Sequence, residues 1–147
     1  MGKIIAITNQ KGGVGKTTTA VNLSALMADM GQRVLIIDLD PQGNTTSGLG
    51  MAVEDASVYE VLMGRIQMRD LVEKTDFKNL SIAGSDIRLA GAELELVSFD
   101  KREFRLKTAI SAIAKDFDFI LIDCPPSLSL LTVNALTAAD GVMIPIQ

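Results

Sequence analysis

A chain of 147 residues, 48% hydrophobic and with a net charge of −4, carries enough apolar material for one domain with one core, and its acidic balance argues against a generally basic nucleic-acid binder while leaving room for a local basic patch. The absence of histidine excludes histidine acid–base chemistry, a Ser-His-Asp triad and the commonest metal ligand, so carboxylates, lysines, hydroxyls and backbone amides must do any chemistry. The single cysteine, Cys124, excludes an internal disulfide and fits a reducing, cytoplasmic compartment; no apolar run reaches the roughly 18 residues of a membrane span, and the short run Ile4 to Thr8 is not a secretory signal.

Ile4 to Thr8 reads as a short strand without alternation, as in a parallel sheet covered on both faces. A glycine-rich turn follows, then a helix over Thr17 to Met30, in which Ala20, Leu23, Met27 and Met30 recur at helical spacing and Gly31 is the stop. Val34 to Ile37 is a second buried strand, running into the turn-rich polar stretch Asp38 to Asn44. Short helices are expected over Val58 to Met63 and Met68 to Glu73, a strand over Leu80 to Ala83, and helices over Leu89 to Val97 and Glu103 to Lys115. Phe119 to Ile122 is a strand entering Asp123-Cys124-Pro125-Pro126, Leu128 to Ala138 a helix, and Gly141 to Ile146 a last strand. Repeats, low-complexity tracts and flexible linkers are absent from the sequence, and the alternation predicts a single three-layer α/β domain over residues 1–147 with a mainly parallel twisted sheet flanked by helices. Ligands in such sheets bind at the carboxyl ends of the strands. The clusters Gln10 to Thr18, Asp38 to Asn44 and Asp123 to Pro126 each follow a strand and are expected to converge on one edge.

The first cluster, Lys11-Gly12-Gly13-Val14-Gly15-Lys16-Thr17-Thr18, is a phosphate-binding loop. Small glycines let successive N–H groups point inward at phosphate oxygens, Lys16 can neutralise the β/γ-phosphates, the Thr17 hydroxyl can sit on Mg²⁺, and the following helix presents its positive end. Gln10 stands where the standard pattern opens with glycine, a departure offset by the strand before and the helix after. The ligand is expected to be ATP with magnesium. Of Asp38 and Asp40, one can hold a magnesium-bound water and the other can position the attacking water, although an Asp before Pro-Gln-Gly-Asn also suits a turn by itself; Asp40 is assigned to catalysis with Lys16, and Asp38 to the metal with Thr17 and Asp123. Asp123, ending a hydrophobic strand, has the pattern of the second carboxylate of a nucleotide site. Cys124 reads as a small buried residue, and one cysteine per chain cannot build a four-thiolate cluster. Lys101, Arg102, Arg105 and Lys107 read as a solvated helix face, the seven methionines as core filler, and Ser127 and Ser129 as caps of the next helix.

These residues carry a family resemblance. Thr8 to Thr18 resembles the deviant Walker A motif of the ParA/Soj/MinD ATPases, marked by the extra early lysine, here Lys11. Asp38-Leu39-Asp40-Pro41-Gln42-Gly43-Asn44 resembles the switch I segment of the ParA/Soj branch, and Asp123-Cys124-Pro125-Pro126-Ser127 its Walker B and switch II region; Leu131 to Leu136 and Val142 to Gln147 fit the same branch. The resemblance implies a P-loop NTPase fold and an ATPase driving chromosome or plasmid partitioning. In it ATP brings two subunits face to face, Lys11 reaches the partner's nucleotide while Lys16 serves its own, the dimer binds DNA nonspecifically on the nucleoid, and a ParB/Spo0J-type centromere-binding protein stimulates hydrolysis. Family members continue beyond the position of Gln147, so the chain is expected to be the N-terminal portion of such a domain. Phosphate binding can then survive while dimerisation, base selectivity and DNA binding fail, and the last strand would offer an unpaired edge. Other readings are a MinD-like membrane-positioning ATPase, disfavoured by the lack of a C-terminal amphipathic helix and by Pro41-Gln42-Gly43-Asn44, and a non-catalytic nucleotide-binding fragment acting as an interaction module. A reductase bridging an iron–sulfur cluster would need two cysteines per subunit.

Overall fold

The computed structural model describes residues 2–8 and 14–145, with the backbone alone for Val14, Gly15 and Lys16. Its strands are β1 (Lys3–Ile7), β2 (Val34–Asp38), β3 (Glu73–Lys74), β4 (Leu80–Ala83), β5 (Phe119–Asp123) and β6 (Gly141–Met143). They form one sheet in the order β3-β4-β2-β5-β1-β6, parallel throughout except for the antiparallel edge pair β3–β4. The helices are α1 (Val14–Asp29), α2 (Asn44–Gly48), α3 (Val58–Leu62), α4 (Met68–Leu71), α5 (Leu89–Leu96), α6 (Arg105–Ser111) and α7 (Leu130–Ala138).

The sheet is buried on both faces, which is why β2 reads as an unbroken apolar run: all five of its residues are buried. On one face Leu35, Ile37, Ala6, Ile120 and Ile122 pack against residues of α3, α5, α6 and α7, such as Leu62, Leu96, Ile110 and Ala135. On the other, Val34, Ile36, Ile7, Leu121 and Ile82 meet α1. The three-layer α/β expectation holds.

Several local expectations change. Helix α1 starts at Val14, inside the loop motif rather than at Thr17, and its buried stripe is Ala20, Ser24 and Ala28. Small residues let the helix lie close on the sheet, so Leu23 and Met27 flank the contact and Met30, beyond the helix end, is 72% exposed. Gly31 is the stop, at φ 92°, where a side chain would be strained. The helix expected over Glu103 to Lys115 is broken into a 3-10 turn (Arg102–Phe104), α6 and a second 3-10 turn (Ala114–Asp116). Ile110, Ile113 and Ala114, at helical spacing, are all buried, and beyond the break the Ala114 carbonyl accepts from the Gly2 N–H at 3.0 Å. Strand β6 is shorter than expected because Pro145 has no N–H to extend the ladder; the end of the expected strand, at Ile146, lies outside the described residues. Helix α7 begins at Leu130, with Ser129 as its cap accepting from the Thr132 N–H at 3.5 Å; Ser127 contributes through its carbonyl, which accepts from the Thr132 hydroxyl at 2.7 Å. The basic run is a solvated face except for Arg105, which lies over the Phe99 ring and donates to the Leu62 carbonyl at 3.0 Å. Among the described residues no helix is long and apolar enough to cross a membrane.

Candidate nucleotide and magnesium site

The parallel register sets the site. Asp38 at the end of β2 is the direct partner of Asp123 at the end of β5, and Asp123 is in turn the partner of Ile7 at the end of β1. The ladder continues one step further through the Leu39 N–H to the Asp123 carbonyl at 2.9 Å and the Cys124 N–H to the Ile7 carbonyl at 3.0 Å. Three adjacent strand ends therefore bring the second and third polar clusters to one edge of the sheet, beside the end of β1, which the first cluster follows in the sequence. The first N–H groups of an α-helix have no acceptor within the helix, and those of Val14, Gly15 and Lys16 at the start of α1 are among them. Thr17 is half-buried and Thr18 exposed on the same first turns. Lys11, Gly12 and Gly13, and the Lys16 side chain, lie outside the described residues.

The two strand-end carboxylates are buried side by side: Asp38 is fully buried and Asp123 is 1% exposed. The Asp38 carboxylate is held at both oxygens. Its Oδ1 accepts from the Asp40 N–H at 3.1 Å, and its Oδ2 accepts from the Thr46 N–H at 2.9 Å and the Thr46 hydroxyl at 2.6 Å. The Thr45 hydroxyl donates to Asp123 Oδ2. Burial, and then repulsion from Asp123, push the Asp38 carboxyl up to about 6, against the bonds from Thr46 and the Asp40 amide, which favour the ionised form. Asp40 sits two residues beyond the strand, buried, with its Oδ1 accepting from the Gln42 N–H at 3.0 Å in a turn closed by the Gly43 N–H on the Asp40 carbonyl at 2.9 Å. Cys124 is fully buried, as expected of a small core residue.

Helix α2 was not legible in the turn-rich stretch. Asn, Thr, Ser and Gly are poor helix formers, and five such residues do not specify a helix. Tertiary hydrogen bonds from Thr45 and Thr46 to the two strand-end carboxylates hold it instead. Ser85 is a second omission: its hydroxyl donates to the Asp40 carbonyl at 2.6 Å and its N–H to the Thr46 hydroxyl at 3.1 Å. A signal existed, because Gly84-Ser85-Asp86 follows the strand Leu80–Ala83 just as the other three clusters follow theirs.

The donor set suits a hard cation. It consists of carboxylate and hydroxyl oxygens, and the mutual repulsion that raises Asp38 is relieved by a positive charge beside it. Among the described residues no cluster of three or more His, Cys, Asp or Glu forms a closed metal cage. One or two carboxylates completed by phosphate oxygens and water is the usual arrangement for magnesium.

Residues 2–147 match the family AAA_31, an AAA domain. The chain belongs to that family. It is 57% identical over 149 residues to the sporulation initiation inhibitor protein Soj of Bacillus subtilis, covering 100% of this chain and 59% of that one. It is 50% identical over 149 residues to the chromosome partitioning protein ParA of Myxococcus xanthus, covering 100% of this chain and 53% of that one. Among solved structures, a cobyrinic acid a,c-diamide synthase of Mycobacterium smegmatis with bound ATP analog and magnesium superimposes with a TM-score of 0.96 at 44% identity, covering 100% of this chain and 61% of that one. The ParA/Soj-type resemblance thus extends along the whole chain, which spans a little over half the length of the curated relatives it matches.

Proposed function

We propose that this chain carries the nucleotide-hydrolysing site of a ParA/Soj-type partition ATPase, binding ATP with Mg²⁺ and converting it to ADP and phosphate. The observation that carries the reading is the pairing of Asp38 with Asp123 at the ends of β2 and β5, next to the strand that leads into the phosphate loop, with Asp40 two residues beyond. Magnesium, when bound, neutralises charge on the phosphate oxygens, and Thr17, Asp38 and Asp123 are the residues that would hold it or its waters.

In this reading the amides from Gly12 to Thr18 and the Lys16 ammonium bind and orient the phosphates. Asp40 orients the water that attacks the γ-phosphorus and takes up its proton as the bond to the β–γ bridging oxygen breaks and ADP leaves. Lys11 acts from the partner subunit, placing a cation on the transferring phosphoryl group in the manner of an arginine finger, a device worth about 10³–10⁵-fold. Hydrolysis then depends on an ATP-dependent homodimer. The further roles, nonspecific DNA binding and stimulation by a ParB/Spo0J-type protein, belong to the reading of the whole protein and draw on the likeness to Soj and ParA.

The test is ATP turnover against protein concentration, with and without DNA, for this chain and for Lys11→Ala. Turnover that rises more than linearly with concentration and is lost in Lys11→Ala supports the trans-lysine dimer. Unchanged activity in Lys11→Ala sinks it, and a monomer that binds ATP without turnover favours a non-catalytic nucleotide-binding module.

A further inference from the structure

The Asp40 backbone is held by a closed circuit of hydrogen bonds that reaches well outside the switch segment. Its N–H donates to Asp38 Oδ1 at 3.1 Å, and its carbonyl accepts both the Gly43 N–H at 2.9 Å and the Ser85 hydroxyl at 2.6 Å. Asp38 Oδ2 accepts the Thr46 hydroxyl at 2.6 Å, and that same hydroxyl accepts the Ser85 N–H at 3.1 Å, which closes the ring. Every member is buried: Asp38 at 0%, Asp40 at 7%, Thr46 at 4% and Ser85 at 4% exposure. Water therefore competes weakly for these bonds.

Packing makes the circuit tight. A Cβ at Gly43, whose φ is +66°, would sit 3.1 Å from the Ser85 carbonyl oxygen, and a Cβ at Gly84 would sit 3.2 Å from the Thr46 methyl and 3.1 Å from a Val53 methyl. The two backbones approach closely because both positions are glycine. The Gly84 carbonyl also accepts the Val58 N–H at 2.9 Å at the start of α3, so the ring is braced against the opposite helical layer.

We infer that Thr46 and Ser85 are positioning residues for Asp40: their hydroxyls form a strap from the end of β2 to the loop after β4 that fixes the Asp40 backbone and so the direction of its carboxylate. The inference rests on the reading of Asp40 as the group that orients the attacking water. A carboxylate displaced by about 1 Å can cost on the order of 100-fold in rate, so the strap acts on kcat rather than on nucleotide binding.

The experiment combines amide hydrogen exchange over residues 40–47 in nucleotide-free protein with steady-state MgATP kinetics on the full chain. It compares the parent with Ser85→Ala, Thr46→Val and Thr46→Ser. Losing one strap bond is expected to speed exchange in that segment about fivefold while the rest of the sheet keeps its protection. In both Ser85→Ala and Thr46→Val, kcat is expected to fall roughly ten- to hundred-fold with KM nearly unmoved. Thr46→Ser, which keeps the hydroxyl, is expected to recover most of both losses seen in Thr46→Val. Parental exchange over 40–47 in Ser85→Ala and Thr46→Val overturns the inference, as does exchange that speeds uniformly through the chain, or faster local exchange with kcat unchanged. A parent chain without turnover counts against the hydrolytic reading alone, and the exchange comparison then still decides whether the strap holds Asp40.

Discussion

Strands β2 and β5 are tied together at both ends, by opposite chemistry. At their starts Arg33 and Asp118 form an exposed ion pair: the Arg33 N–H and Nε donate to Asp118 Oδ2 at 2.8 and 3.3 Å, and Arg33 Nη2 donates to Oδ1 at 3.2 Å. The hydrogen-bonded guanidinium holds the Asp118 carboxyl below its usual range. At their ends two like charges, Asp38 and Asp123, are buried together, and Asp38 is pushed up to about 6. The first arrangement joins opposite charges; the second sets two carboxylates side by side, an arrangement that a bound cation favours in its ionised form. A sheet gains nothing in stability from paired buried carboxylates, so their presence at the ligand-binding edge supports the proposed magnesium site.

That contrast can be broken in several places. The largest effect is expected at Asp40→Ala, which removes the proposed water-orienting group: turnover is expected to drop by about 10²–10⁴-fold, with nucleotide affinity nearly kept, as read from kcat and an equilibrium binding titration. The pH dependence of nucleotide-free stability comes next. Above about pH 6 the Asp38 carboxylate is ionised in both folded and unfolded chains, and the cost of its burial is fully present. As pH falls from about 6 toward the unfolded value of 3.8, the folded chain takes up a proton that the unfolded chain does not, so this group makes folding more favourable by on the order of 2–3 kcal/mol. Asp118 works in the other sense: its stabilisation is present above the ordinary carboxylate range and is lost as pH falls through its lowered value. Denaturant unfolding at pH 7 and pH 5, with Asp38→Ala as reference, is expected to show the gain in the parent alone.

Thr45→Val removes the hydroxyl that donates to Asp123 and is expected to cost about 1–3 kcal/mol of unfolding free energy, since a buried carboxylate loses a donor. Arg33→Ala is expected to have the smallest effect. It should move the Asp118 titration up toward the ordinary carboxylate range while changing the melting temperature little, and less still in high salt, because the pair is exposed.

The same contrast explains what the sequence revealed. Strands β2 and β5 are apolar runs up to their terminal aspartates, and β4 is one interrupted only by Ser81; their boundaries fall within a residue of the expectation because burial is written into nearly every position. Asp38 and Asp123 were legible as strand-end carboxylates in a parallel fold. Helix α2 was not, because Asn44 to Gly48 has no helical pattern and owes its form to bonds with residues eight and 78 positions away. For Ser85 the sequence offers its place after a strand, but not its partner, because it meets Asp40 across 45 positions. The two-residue strand β3 is shorter than any periodicity can register. In α1 the expected Ala20 is buried and Leu23 and Met27 pack at the edge of the contact, but Ser24 and Ala28 fill the rest of the buried stripe, because close packing on a sheet selects small residues, and Met30 is exposed.

The most direct test of the account is a carbon-13 titration of the Asp38 and Asp118 carboxyl groups without ligand, with MgADP, and with a non-hydrolysable ATP analogue and magnesium. Asp38 is expected to titrate at about 6 without ligand. With magnesium and nucleotide its midpoint should fall to the ordinary carboxylate range or below, because a cation at the β2–β5 end favours the ionised pair, while Asp118 at the far end stays where it was. An Asp38 midpoint unmoved by saturating magnesium and nucleotide would contradict the placement of the site.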